Sequence, residues 1–533
     1  MTAETETTAG RRAWIGLAVL ALPTFVVAID LFVLLLALPT LASELGADSN
    51  QQLWVSDIYG FLLAGFLISM GTLGDRIGRR KLLMIGGAVF AVASVLTAYA
   101  PTIELLIVAR AGLGIAGATL MPSTLALIGG LFQDPKQQAT AFGIWGGTFT
   151  LGAVFGPVLG GLLLENFWWG SVFLIGVPLL LAMLVLAPKY LPEFKNPAAG
   201  KLDYTSVVMS LVALLGMIYG IKELARSGWE TLPVATLLVG LAVGILFVRR
   251  QNTLQEPLLD LKLFRSGTIT ATLLNQLAFS TVGGGIMLLM LLHFQLVEGL
   301  TTVQAALVMV PGMLGGAAGM QVAPKLAAKY KPGYVIGIGM ILAAVVYVVL
   351  TQVSVTNGTW FLAVGFVLVS FFGTPAVGLG TGLIVMNAPP EKMGSAGSMA
   401  QLSNEFGGTL GLAILGTTAA AVYRTGVEVP AGVPTEQAAV AGDSLAGAVI
   451  TAPELTADQS AGLLASAREA FTDGVQVVAV IGAALFAVTG SLVIAKLKHI
   501  PPFGAAQPPA DDTPAESAED TPEAESIKPA PID

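Results

Sequence analysis

Apolar residues arrive along this chain in blocks of about 18 to 25, separated by short polar breaks, and the blocks carry no period-two alternation. A block of that length spans about 30 Å of hydrocarbon as an α-helix, and a helix satisfies every backbone amide within its own segment. A membrane barrel needs alternating strands of about ten residues, so the pattern excludes one. Fourteen spans are expected, at 14–38, 53–73, 82–99, 103–128, 140–164, 169–188, 204–222, 232–248, 269–293, 304–323, 334–352, 360–386, 396–420 and 474–495. Arg11 and Arg12 precede the first apolar run as they would in a signal peptide. That run extends to about Leu38 and carries Asp30, which is too long for a leader and reads as the first span.

The polar breaks orient the helices. An even number of spans puts both termini on one side. Most of the 26 Lys and Arg residues fall in loops on that side, whereas Lys222, Arg226, Arg424 and Arg468 fall on the other and Arg110 lies within a span. Positive loops stay inside, so both termini are expected in the cytoplasm and the chain in the inner (cytoplasmic) membrane, surrounded by lipid. Residues 424–470 form the one long external loop, Ala-rich with scattered acids and suited to short helices lying over the outer mouth, and read either as a cap on an exit path or as a tolerated insertion. From Pro501 onward the chain is rich in Pro, Ala and acids, too polar to fold, and is expected to be a disordered cytoplasmic tail.

Composition strengthens this reading. Of 533 residues, 55% are hydrophobic and 11% charged, with a mean hydropathy of +0.79; an average soluble domain is about a quarter charged. Cysteine is absent, which excludes disulfides and thiolate chemistry, and His293 and His499 alone are too few for a His-rich metal site. The net charge of −8 resides in the outer segment and the tail and points to no nucleic acid. No cofactor is expected.

Charges inside spans are costly, so each is a functional candidate. Asp30 and Arg110 lie at similar depth, seven or eight residues from the outer ends of their spans, and are placed to pair. The pair is either a static clamp between two helices or a carboxylate that exchanges a proton. Ser398, Gln401, Glu405 and Gly408 recur at steps of three and four and so share one helix face. That face borders either a water-filled cavity or a buried interface, with a neutral Glu405 satisfied by Gln401 or Asn404. Asp57 and Glu104 lie near outer ends, where they can face water.

Two glycine patterns add to this. The segment from Gly71 through Asp75, Arg76, Gly78, Arg79 and Arg80 to Lys81 joins two spans by a turn that glycine permits. Asp75 is placed to lock against a neighbouring helix N-terminus or a basic residue, and Arg79, Arg80 and Lys81 to anchor at the anionic leaflet. In the fifth span Gly152, Gly156 and Gly160 recur every four residues, with Pro157 and Gly161 beside them, a face suited to close helix packing.

Together these residues resemble the major facilitator superfamily, and within it the fourteen-span drug:proton antiporters, a family of multidrug and quaternary-ammonium exporters. The resemblance covers about residues 12–500. Asp30 with Ala37, Leu38 and Pro39 is similar to the family's first-helix acidic motif, and Leu53, Trp54, Val55, Asp57 and Tyr59 to the start of its second helix. Gly71 to Lys81 matches the superfamily's signature loop. Arg110, Gly114, Gly117 and Ala118 resemble the fourth-helix arginine motif, and Gly152, Gly156, Pro157, Gly160 and Gly161 the antiporter motif. Leu113 departs from a glutamine common in the fourth-helix motif, and Gly316 stands where some quaternary-ammonium exporters carry an acid.

The resemblance implies an all-α polytopic protein with the major facilitator fold, two six-helix bundles plus two inserted helices. The expected divisions are a cytoplasmic N-terminus (1–12), a first bundle (13–190), a linker with spans 7 and 8 (191–268), a second bundle (269–500) and the tail (501–533). It further implies drug:proton antiport by a monomer that uses the proton gradient as its energy source and takes small lipophilic or cationic drugs. Asp30 and Arg110 would couple protons, Glu405, Gln401 and Asp57 would bind substrate, and the two glycine motifs would serve conformational change. Three other readings stay open: export of one endogenous metabolite, lipid or antibiotic; proton-driven uptake; and a membrane enzyme, for which no nucleophile stands beside a base.

Overall fold

A computed structural model describes residues 9–47, 49–195, 203–227, 230–255, 257–389 and 392–503. Among the described residues every regular element is helical. Fourteen helices among the described residues are long and apolar enough to cross a membrane. Spans 1 to 6 are Arg11–Leu34, Trp54–Ile77, Arg79–Ala98, Ile103–Leu131, Pro135–Asn166 and Ser171–Tyr190. Spans 7 and 8 are Tyr204–Leu224 and Thr231–Gln251. Spans 9 to 14 are Gly267–Val297, Gln304–Lys329, Pro332–Leu350, Gly358–Met386, Met393–Gly426 and Ala457–Leu497.

Local chemistry sets where these helices start and bend. The Thr102 side chain accepts from the Leu105 amide, and Asp134 accepts from Gln137 with Pro135 in the first turn, so orphan amides are capped. Thr301 and Gln304 form a reciprocal capping box. Span 12 breaks between Gly373 and Pro375, whose ring removes an amide from the ladder. Spans 9 and 13 each hold a π-helical turn, His293–Val297 and Gly411–Leu415.

The buried side chains of spans 1–6 form two adjoining cores, one including Leu20, Tyr59, Leu120 and Phe142, the other Ile29, Val33 and Phe173. Those of spans 9–14 gather around Val282, Met340, Tyr347 and Phe486. Spans 7 and 8 pack on each other through glycine, since a Cβ at Gly240 would lie 2.7 Å from the Met217 nitrogen, and span 7 lies against span 2. The two groups of six meet at the ends that carry the basic loops. There Gly71 of span 2 abuts Ser398 of span 13, and Gly143 of span 5 abuts Pro324 of span 10. Gln321 Nε2 donates to the Gly143 carbonyl at 3.0 Å.

The external segment 424–470 holds short helices, as its composition suggested, and the flanking spans extend into it from both sides. Span 13 runs on to Gly426, Thr435–Asp443 and Leu445–Thr451 are short helices, and the last helix starts at Ala457. Alanine favours helix wherever packing allows. Leu445, Ala448, Leu463 and Ala467 join the core of spans 9–14, and the Tyr423 hydroxyl donates to the Ala441 carbonyl at 2.7 Å. Pro501–Phe503 are placed, with the Phe503 amide donating to the Ala327 carbonyl at 2.9 Å. The rest of the expected tail, 504–533, lies outside the described residues, as do residues 1–8.

Candidate functional site

Between the two groups of six lies a cavity of about 570 Å³. Its walls are mainly apolar and include Phe32, Phe61, Trp145, Phe149, Met287 and Met320. Rings and thioethers give such a wall area without fixed hydrogen-bonding demands, which suits ligands of varied shape.

Glu405, Gln401, Asn404 and Gly408 of span 13 also line it. Gln401 Nε2 donates to Glu405 Oε1 at 3.1 Å, and this is the bond expected for a carboxyl satisfied on its own helix face. Ser398 belongs to that face but not to the cavity. It sits a turn nearer the basic loops, where its hydroxyl fills the space beside Gly71. One polar stripe therefore serves two places, a cavity wall and a helix seam. A Cβ at Gly284 would lie 2.8 Å from the Gly408 carbonyl, so these two glycines let spans 9 and 13 approach beside the cavity.

Asp57 does not itself line the cavity; Gly60 and Phe61, the next turn of span 2, do. Its Oδ1 accepts from Lys222 Nζ at 2.7 Å. Lys222 was expected in an outer loop. It lies within the helix Tyr204–Ser227, lines the cavity, and stands 5.0 Å from the centroid of the Phe61 ring. Sequence reasoning missed it because the apolar block ends there while the helix continues. The available signal was the shared depth of Lys222 and Asp57 at the outer ends of their spans.

Asp30 and Arg110 do come together. Arg110 Nη1 is 3.6 Å from Asp30 Oδ2, with the two side chains 1% and 6% exposed, and neither of those atoms has a hydrogen-bond partner. Arg110 is held otherwise by Nε, which donates to the Val55 carbonyl at 2.8 Å, and by the rings of Tyr59 and Phe173, 5.2 and 5.8 Å from its guanidinium carbon. Gly114 leaves room for the span 2 backbone there, since a Cβ would lie 2.5 Å from the Tyr59 carbonyl. Asp30 and Arg110 are therefore in ion-pair contact without a hydrogen bond between Oδ2 and Nη1.

The glycines of span 5 set the distance to span 1. A Cβ at Gly152 would lie 2.6 Å from the Ala28 methyl, one at Gly156 3.2 Å from the Ile29 carbonyl, and one at Gly160 2.6 Å from Val33 Cγ2. They therefore seat the helix that carries Asp30. Pro157 lies in the same helix, and its side chain is outside the described residues.

In the loop after span 2, Gly78 has φ +114°, a conformation that favours glycine. Arg76 closes the last turn of the preceding helix. Asp75 pairs with Arg79 and accepts from the backbone amides of Gly394 and Ser395, at the N-terminal end of the span 13 helix. Arg79 was expected at the leaflet and is instead 1% exposed, packed where a Cβ on Gly394 would stand. The half-buried Asp75 carboxylate draws its guanidinium inward. Arg80 and Lys81 donate their amides to Glu193 at 2.9 and 3.1 Å, a partner the sequence did not single out. The linker is tied down by ion pairs as well. Hydrogen bonds from Arg250 and Ser206 hold Asp203 down at about 2. Asp260 receives Lys392, at the start of span 13; burial raises its pKa, but the lysine and the Lys262 amide outweigh burial and hold it below the ordinary carboxylate value.

A family model described as Major Facilitator Superfamily matches residues 20–412. The chain is 40% identical over 485 residues to the multidrug efflux pump LfrA of Mycolicibacterium smegmatis, covering 90% of this chain and 96% of that protein. It is 34% identical over 461 residues to the methyl viologen resistance protein SmvA of Salmonella typhimurium, covering 86% and 93%. Among solved structures it is similar in fold to the human organic anion transporter MFSD10 (TETRAN). That likeness has a TM-score of 0.57 at 13% identity and covers 90% of this chain and 99% of that one.

Proposed function

We propose, for a chain that belongs to the Major Facilitator Superfamily, proton-coupled export of lipophilic, often cationic compounds across the cytoplasmic membrane. It is a multi-pass membrane transporter of the efflux type, with both termini assigned to the cytoplasm. The observation that carries the reading is the separation of two membrane-embedded carboxylates. Glu405 faces a cavity walled by rings and methionines, while span 1 gives that cavity Leu31 and Phe32 and keeps Asp30 away from it, against Arg110. That separation supports a division of roles in which Glu405 meets a cation and Asp30 a proton.

With the basic loops inside, the packing of Gly71 on Ser398 and of Gly143 on Pro324 closes the cytoplasmic side of the cavity. Asp30 then takes a proton from outside. Neutralising it releases Arg110 from its ion pair and alters the balance between spans 1 and 4, whose partners in spans 2 and 5 close the seam. Rocking of the two bundles opens the cavity inward, where the proton leaves and drug binds. Coupling requires only that proton and drug favour opposite orientations.

The test is transport of ethidium in proteoliposomes with an imposed pH gradient. Accumulation should follow the gradient and collapse when a protonophore dissipates it. Transport that ignores the gradient sinks the antiport reading, and transport of no lipophilic cation sinks the substrate class.

A further inference from the structure

Among the described residues of the cavity wall, the charged ones are Glu405 and Lys222. Lys222 comes from the inserted span 7, not from either six-helix group. Its ammonium bonds Asp57 at 2.7 Å, and the two side chains are 29% and 32% exposed. An ion pair that open contributes little to stability, about 0–1 kcal/mol in the usual case. A clamp between spans 2 and 7 is therefore a weak reason for placing an ammonium on a cation-binding cavity. Charge balance is a stronger one. Lys222 cancels Asp57 and leaves the Glu405 carboxyl as the one anionic site that a substrate can meet.

We propose that Lys222 is a built-in countercation by which the inserted helix pair sets the charge of the substrate, restricting the cavity to one positive charge per molecule. This rests on the export reading above. A monocation pairs with Glu405. A dication must place its second charge near the ammonium of Lys222, since Asp57 is already engaged. The Phe61 ring beside Lys222 is itself cavity wall, so a bound cation and the lysine compete for the same aromatic face. Removing the lysine charge leaves two carboxylates without a countercation, Glu405 on the cavity wall and Asp57 just behind it, a pattern suited to dications.

The experiment compares ethidium, a monocation, with methyl viologen, a dication, as export substrates of the full chain in proteoliposomes. K222Q should shift the ratio of apparent affinities toward the dication by about tenfold, about 1.4 kcal/mol, whereas K222R should keep the wild-type ratio. D57N leaves an uncancelled lysine and should weaken export of both cations. D57N/K222Q again presents one carboxylate and should recover the wild-type preference. If K222Q does not reach the membrane, the double variant against D57N decides: recovery of monocation export supports the proposal, and no recovery overturns it. An equal change for both cations in K222Q also overturns it. Wild-type protein that moves neither cation overturns the export reading instead, so the two failures are distinguishable.

Discussion

Asp30→Asn separates a proton site from a static clamp, because it keeps the shape and removes the charge. At 3.6 Å the attraction between Asp30 and Arg110 is roughly 4–5 kcal/mol at an effective dielectric of about 20. The desolvation of both groups offsets most of it. Deleting one member of a buried pair typically costs about 3–5 kcal/mol, since the other charge is orphaned. Arg110 is not fully orphaned here. It keeps the Val55 carbonyl and the faces of Tyr59 and Phe173, and a desolvated cation–π contact offers about 2 kcal/mol. The expected loss is therefore about 1–3 kcal/mol, enough to lower the melting temperature and not enough to prevent insertion. Function should change far more than stability. A permanently neutral residue 30 cannot release a proton, so pH-driven accumulation of ethidium should vanish while exchange of substrate down its own gradient persists. Wild-type accumulation by the variant at normal expression refutes the reasoning. Loss of exchange together with accumulation, in a poorly expressed protein, would reveal a clamp.

Glu405→Gln should weaken export of cations by about five- to hundredfold, about 1–3 kcal/mol for one charge-assisted contact, and spare neutral lipophiles; equal loss for both in a paired transport assay would move Glu405 to proton coupling. Asp75→Ala removes the partner of Arg79 and the acceptor for the Gly394 and Ser395 amides, so turnover should fall while ligand affinity in detergent stays near wild type. Parallel loss of both would make the loop a folding element only. Gly152→Val places methyls where Ala28 Cβ and the Phe25 carbonyl already lie within 3 Å of a bare Cβ. Overpacking of this kind costs about 1–3 kcal/mol, so melting temperature and transport should both fall, and a variant unchanged in both would show that spans 1 and 5 separate without penalty.

Much of this fold was legible because a bilayer leaves a chain few choices. Each apolar block had to be a helix, so the number and rough limits of the spans followed from length and hydropathy alone. The Asp30–Arg110 contact was readable for the same reason: charges within apolar spans are few, and depth along a span restricts which can meet. Hydropathy says nothing about where a helix stops once it leaves lipid. Residues 457–470 were therefore assigned to a loop although the last helix begins at Ala457. Direction was also hidden. Arg79 sits between Arg76 and Arg80 in sequence, and only the packing of span 13 over it separates a buried guanidinium from its exposed neighbour Lys81.

Lys222 shows the limit of reading charges by loop membership. A basic residue just past an apolar block is ordinarily an anchor at the interface, and positive-inside bookkeeping treats it as such. Its meaning changes when the helix continues and a neighbouring span offers a carboxylate at the same depth. The arrangement also gives the inserted pair of spans a part in chemistry. Spans 7 and 8 pack on each other and against span 2, which leaves both six-helix groups intact and needs no altered connection within either. A pair added in that way can reach the central cavity only along its edge, and Lys222 and Ile218 are the residues of span 7 that do so. A long, flexible ammonium is among the few side chains able to alter the charge of such a cavity from its edge, because it carries its charge beyond its own backbone. On the proposed reading, the two-bundle machine keeps Asp30, Arg110 and Glu405 in place while a peripheral helix changes which cations are accepted.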